Sequence, residues 1–175
     1  IGLDVESVKG KGYRLAGGFE PLERGSIQSG LSVECAALVS EIDLHAEIES
    51  TNVHAMKRIA AGNAKGYLCL SESQSSGKGR RGRHWVSPFG HNIYLSFVWE
   101  FDGGANQLEG LSLAVGVEVA KVLITCGLQG VALKWPNDIL LNGRKLGGIL
   151  LEMSGDPAGV CQVVIGIGLN VRMNK

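Results

Sequence analysis

The stretch YLCLSES (67–73), QSSGKGRRGRHWVSPFGH (74–91), NIYLSFVWEF (92–101) decides how the chain folds. Both flanks are rich in β-branched, aromatic and apolar residues and read as strands. Between them Gly77, Gly79 and Gly82 spell G-x-G-x-x-G directly after a strand, and Glu100 lies roughly where a ribose-binding acid would be expected. That dinucleotide reading fails on chain length. Only nine residues separate Gly82 from Asn92, and they include Pro88 and Gly90. A parallel crossover needs about a dozen residues or more, usually helical. The two runs are therefore an antiparallel hairpin closed by a long loop.

Working outward, Ser50-Thr51-Asn52 offers cap chemistry to a helix whose Val53, Met56, Ile59 and Ala60 share a face, ending at Gly62. A strand is expected at 44–49 and a helix from Ser26 to Val39. Residues 1–20 read as a hairpin turning at Gly10 to Gly12, followed by a flexible joint. On the other side, Leu108 to Cys126 has helical periodicity and stops at Gly127. Residues 131–135 read as a strand broken by Pro136, and Val160 to Val171 as the last strand. Ile139 to Leu141 and Lys145 to Met153 flank Asn142-Gly143, a pair suited to a type I′ turn because both central residues need positive φ. Short strands with tight turns predict an α+β fold: a mixed, largely antiparallel sheet with helices on one face.

The 175 residues carry 17 Lys+Arg against 17 Asp+Glu, so no global basic field draws nucleic acid or anionic membrane. No apolar run is long enough to span a bilayer, and the start carries no signal-peptide pattern. Cys35, Cys69, Cys126 and Cys161 contain no C-x-x-C, and His45, His54, His84 and His91 form no H-E-x-x-H or similar cluster. The expectation is a cytoplasmic protein without structural metal. Ile1 and Lys175 read as cuts within a longer protein.

Against that neutral background the loop stands out. From Ser73 to Trp99 there is no acidic residue, while Lys78, Arg80, Arg81 and Arg83 crowd between glycines. Glycines let backbone wrap a ligand, and the cations suit phosphate or carboxylate. A solvated basic loop, or one touching nucleic acid, reads equally well from charge alone. Gly77-Lys78 lacks the earlier glycine of a P-loop, and Gly110-Leu111-Ser112-Leu113-Ala114 sits in an apolar helical run and makes no nucleophile elbow.

Taken with its flanks, the run from Gln74 through Gly77-Lys78-Gly79-Arg80-Arg81-Gly82-Arg83-His84-Trp85-Val86-Ser87-Pro88-Phe89-Gly90 is similar to the biotin–protein ligase motif. The resemblance continues in order through Glu49-Ser50-Thr51-Asn52, Lys134-Trp135-Pro136-Asn137-Asp138, Gly143-Arg144-Lys145-Leu146-Gly147-Gly148-Ile149-Leu150 and Gly166-Ile167-Gly168-Leu169-Asn170. Together these motifs cover residues 45–171. Ile1 to Leu15, with Gly10-Lys11-Gly12-Tyr13, also resembles the end of the winged helix-turn-helix domain of repressor-type members, a shorter match.

The resemblance implies a catalytic domain related to class II aminoacyl-tRNA synthetases over 21–175, C-terminally incomplete, with 1–20 the remnant of a wing and linker. It implies that biotin and ATP, with Mg²⁺, give biotinyl-adenylate, from which a lysine of a biotin carboxyl carrier domain takes the biotinyl group. Arg80 and Lys145 would be the catalytic pair. Ser50, Thr51, Asn52, Gln74, Gly77, Lys78, Gly79, Arg80, Lys145 and Gly148 would bind biotin. Arg81, Arg83, Trp85, Asp138 and Asn170 would bind the nucleotide, Asp138 with a share in any metal; Lys134 and Asn137 are lesser candidates. Lys78 stands where the resemblance predicts arginine, and lysine cannot make arginine's planar bidentate contact.

Each of these residues also has a bland reading. Ser50 and Thr51 would merely cap a helix, Trp85 anchor a core, Lys145 decorate an edge strand and Asp138 serve a turn. A lipoate-type ligase of the same fold and a nucleic-acid-binding module are the competing functions. Operator DNA belongs to a parent protein and not to this stretch, and homodimerisation is left open.

Overall fold

A computed structural model describes residues 5–15, 20–62, 64–104, 108–156 and 158–173. A two-stranded antiparallel hairpin comes first, β1 (Val5–Val8) and β2 (Gly12–Leu15), turning where the glycines predict. The joint expected after it falls largely at 16–19, outside the described residues. Then follow α1 (Arg24–Ser29), α2 (Val33–Leu38), β3 (Glu41–His45), α3 (Thr51–Ala60), β4 (Tyr67–Ser71), β5 (Asn92–Phe101), α4 (Leu111–Thr125), β6 (Val131–Lys134), β7 (Asp138–Leu141), β8 (Arg144–Gly155) and β9 (Cys161–Asn170).

Strands β3 to β9 form one seven-stranded sheet in the order β3-β4-β5-β9-β8-β7-β6. Only β3–β4 is parallel; every other pairing is antiparallel. The hairpin reading of the opening stretch holds, with Leu68 opposite Phe97 and Ser71 opposite Tyr94. Asn142 and Gly143 take φ of 50° and 77°, as a type I′ turn requires.

Three expectations are corrected. The helix expected over Ser26 to Val39 is two helices. Gly30 ends the first, and Ser32 caps the second by accepting a hydrogen bond from Cys35 N at 3.2 Å. The strand expected at 44–49 lies at Glu41–His45, paired in parallel with β4. Its five residues alternate, with Glu41, Asp43 and His45 on one face and Ile42 and Leu44 on the other. The helices do not share one face. Asn52 of α3 reaches Glu152 of β8, whereas Gly116 of α4 packs against Ile149, and residues 149 and 152 point to opposite sides of a strand.

The core under α3 joins Ala55, Ala64, Tyr67, Cys69, Val98 and Val164, all essentially inaccessible to solvent. Burying such side chains contributes about 25 cal/mol per Å² of apolar surface removed from water. This packing holds the start of α3 against the middle of the sheet. Among the described residues no helix is long and apolar enough to cross a membrane.

Candidate active site

A cleft of about 480 Å³ opens on the face of the sheet that carries α3. Its inner wall is the first turn of α3. Ser50 caps the helix, its side chain accepting from Val53 N, and Ser50, Thr51 and Asn52 are all buried. Thr51 N donates to Gln74 Oε1 at 2.8 Å, tying the helix start to the root of the basic loop. Ser96 Oγ lies 2.8 Å from Thr51 Oγ1 and 2.6 Å from Asn52 Oδ1. A hydroxyl has one proton to give and Asn52 Oδ1 can only accept, so Ser96 donates there, and the single Thr51 proton serves Ser96 Oγ and Gln74 Oε1, 3.2 Å away on its other side. Asn52 Nδ2 donates in turn to Glu152 Oε2 at 2.7 Å. Asn52 of α3 is thus tied to two strands, β5 and β8, and acts as a rigid strut.

The floor is built from glycine for a steric reason. A Cβ on Gly166 would lie 2.0 Å from Asn52 Oδ1, and one on Gly168 would lie 2.9 Å from the Trp85 ring. Trp85 lies across Gly148 and Gly168, and its buried Nε1 has no hydrogen-bond acceptor among the described residues. A buried donor without a partner costs about 1–3 kcal/mol, which a ligand oxygen would recover.

The rim is cationic. Residues 80–82 form a single 3-10 turn, with Arg81 at φ 59°, inside a small hairpin closed by Gly79 N to Arg83 O at 2.7 Å and Trp85 N to Gly77 O at 2.8 Å. This places Lys78, Arg80, Arg81 and Arg83 over the cleft, facing Lys134 and Lys145. Against these six cations, Asp138 is the one carboxylate among the lining residues. Lys145 Nζ donates to Asp138 Oδ1 at 2.7 Å and sits 5.2 Å above the Trp85 ring. Arg80 donates to Asn137 Oδ1 at 3.3 Å, and Asn137 is itself fixed by two hydrogen bonds to the Ile149 backbone. A site of this shape suits a largely apolar body on the glycine floor with an anionic end under the loop.

Of the residues singled out from sequence, Ser50, Thr51, Asn52, Gln74, Lys78, Gly79, Arg80, Arg81, Arg83, Trp85, Asp138, Lys145 and Gly148 line this cleft. Gly77 and Asn170 do not. Gly77 has no room for a side chain because the Trp85 carbonyl and Ser87 Oγ lie 2.9 Å from its Cβ position. Asn170 pairs with Asn92 at the end of β9. Sequence reasoning left Ser96 and Glu152 unassigned; both sit in strands whose alternation gives no sign of a hydrogen-bond network. His84, Tyr94 and Trp135 also line the cleft.

One further cluster, which no H-E-x-x-H or similar motif announced, involves two of the histidines. Asp43, His45 and His54 bring potential ligand atoms within 4.8 Å of one another, and none of the three lines the cleft. Asp43-x-His45 on a strand puts both side chains on one face, which was a legible signal.

The profile of the Biotin/lipoate A/B protein ligase family matches residues 44–170. The chain belongs to that family. Among its Biotin/lipoate A/B protein ligase relatives, it is 42% identical over 175 residues to the bifunctional ligase/repressor BirA of Escherichia coli (strain K12), covering 99% of this chain and 52% of that protein. To the biotin–[acetyl-CoA-carboxylase] ligase of Paracoccus denitrificans it is 43% identical over 128 residues, covering 72% of this chain and 52% of that protein. The biotin protein ligase of Aquifex aeolicus in complex with biotin and ATP superposes with a TM-score of 0.63 at 29% identity, over 78% of this chain and 54% of that one. The chain spans about half the length of the curated relatives it matches.

Proposed function

We propose that the protein is an ATP-dependent biotin–protein ligase. The observation that carries this reading is the cleft itself: a glycine floor and a rigid α3 terminus on one side, and a cationic loop with Lys145 on the other. Biotin has the matching form, a compact bicyclic body with a carboxylate at the end of an alkyl arm.

In the first step a carboxylate oxygen of biotin attacks the α-phosphorus of ATP; the bond to the β-phosphate oxygen breaks and pyrophosphate leaves. Two anions must approach, so the barrier is electrostatic and is lowered by cations already in place. Lys145 faces the carboxylate and α-phosphate, and Arg80, Arg81 and Arg83 cover the phosphates and exclude water. Trp85 and Gln74 present one donor and one amide to the bound pair. Magnesium fits the site as a phosphate-borne ion: the cleft supplies a single carboxylate, Asp138, already shared with Lys145, and Mg²⁺ is held by one or two carboxylates plus substrate phosphates. When bound it would neutralise phosphate charge. In the second step the amine of a carrier-domain lysine attacks the acyl carbon, an amide forms, AMP leaves, and the amine proton passes to solvent.

A biotin carboxyl carrier domain is therefore the protein partner. A repressor role belongs to the whole protein, through a DNA-binding segment that the β1–β2 hairpin would end. The lipoate reading shares the fold, but the Paracoccus denitrificans relative at 43% identity is named a biotin–[acetyl-CoA-carboxylase] ligase, and the Aquifex aeolicus structure at 29% identity is a biotin protein ligase with biotin and ATP bound. Incubating the full-length protein with MgATP, a carrier domain and either biotin or lipoate tests the reading by mass spectrometry. Biotinyl-lysine on the carrier is expected; lipoyl-lysine alone would overturn it.

A further inference from the structure

The cluster of Asp43, His45 and His54 lies outside the cleft and has no part in the chemistry above. It is built from β3 and the first half of α3. His45 Nε2 lies 3.1 Å and His54 Nε2 3.3 Å from the same atom, Asp43 Oδ2. The two imidazoles meet edge to face with ring centroids 4.9 Å apart, and the three candidate ligand atoms all lie within 4.8 Å of one another. His45 Nε2 is buried, yet among the described residues it has no aligned hydrogen bond despite the short approach. Two ring nitrogens crowded on one carboxylate oxygen, one of them without a proper hydrogen bond, form a poor hydrogen-bond network and a good chelate.

The dimensions agree. Zinc binds imidazole nitrogen at about 2.0–2.1 Å and carboxylate oxygen at about 2.0–2.2 Å, so neighbouring ligand atoms of a tetrahedral site stand about 3.4 Å apart. The two nitrogen-to-oxygen edges are 3.1 and 3.3 Å. The carboxylate is also held by the protein, because Tyr67 OH donates to the same Asp43 Oδ2 at 2.5 Å, using one lone pair and leaving the other for a metal, the kind of outer partner that metal-ligating carboxylates have. Arg58 lies over the Tyr67 ring at 5.4 Å and is paired with Glu41. Side-chain exposures of 26%, 27% and 37% for Asp43, His45 and His54 leave a path from solvent and room for water as a fourth ligand.

We propose that Asp43, His45 and His54 form a binding site for one divalent transition-metal ion of the zinc class. Imidazole with carboxylate selects such ions over Mg²⁺ or Ca²⁺, which prefer all-oxygen shells. The ion clips α3 to β3 one turn beyond the Ser50–Asn52 wall of the cleft, and so acts as a structural staple for that wall. The inference does not depend on the identity of the substrate.

The test is Zn²⁺ titration of the full-length protein against a competing chromophoric chelator, with Cys35 and Cys126, which are exposed, replaced by serine to remove thiol sites. One equivalent is expected to bind and to raise the melting temperature. H54Q and D43N should each weaken that binding by about tenfold or more and abolish the thermal shift. The metal-free melting temperature of H54Q, a half-exposed position, should stay near that of the parent and so shows that the variant folds. Co²⁺ should give an absorption spectrum without thiolate charge transfer. Unchanged binding in H54Q and H45Q, a thiolate band, or no saturable binding at millimolar metal would each overturn the site.

Discussion

Replacing Lys145 with alanine separates chemistry from stability more cleanly than any other single change. In the ligand-free protein its Nζ is engaged twice, at 2.7 Å from Asp138 Oδ1 and 5.2 Å above the Trp85 ring. Both side chains of the ion pair are partly exposed, at 45% and 26%, so solvent screens it and the pair is worth about 0–1 kcal/mol. The contact with the indole face adds about 0.5–1 kcal/mol. The whole structural loss is then about 0.5–2 kcal/mol, a fall of a few degrees in melting temperature for a domain of this size. A cation positioned where charge develops is worth about 3 kcal/mol in the transition state, or about two orders of magnitude in rate. K145A should therefore lose about a hundredfold in biotin adenylation while unfolding in urea only slightly earlier than the parent. K145R should recover part of the loss, because guanidinium keeps the charge but spreads it over a larger plane. The assay is single-turnover formation of biotinyl-AMP, with urea denaturation in parallel. A K145A rate within about threefold of the parent would refute the assignment.

Further outcomes follow from the same geometry. G166A forces a Cβ to within 2.0 Å of Asn52 Oδ1 and should cost about 1–3 kcal/mol by urea denaturation, with weaker biotin binding from the displaced strut. Burial pushes the Cys69 thiol up to about 12, so little thiolate is present at pH 8; a thiol reagent should label Cys35 and Cys126 quickly and reach Cys69 and Cys161 only after unfolding. Hydrogen exchange should slow across residues 74–91 when biotin is added, since the clustered cations repel until an anion arrives; equal protection would mean that loop closure has no part in the mechanism. Residues 1–175 should bind duplex DNA only weakly at physiological salt, and tight, strongly salt-dependent binding would favour a nucleic-acid role for the loop.

What was legible in the sequence follows the reach of local chemistry. The nine residues between Gly82 and Asn92 were too few for a crossover, and Asn142-Gly143 has few backbone options, so the hairpins could be read without any tertiary information. The cap at Ser50 was equally local. The split at Gly30 was missed because apolar periodicity ran through it, although glycine and Ser32 carried the stop and start signals. The Asn52–Ser96–Glu152 network and the meeting of His54 with Asp43 and His45 depend on how α3 packs, and pairwise spacing cannot report a contact made by packing. The same holds for Gly166 and Gly168, whose close neighbours come from distant parts of the chain.

The central claim is that this cleft joins biotin's carboxylate to the α-phosphate of ATP. Exchange of labelled pyrophosphate into ATP, measured on the full-length protein with biotin present, absent, or replaced by lipoate, tests it most directly. Exchange is expected with biotin and none above background without it or with lipoate. Exchange indifferent to biotin, or supported equally by lipoate, would contradict it.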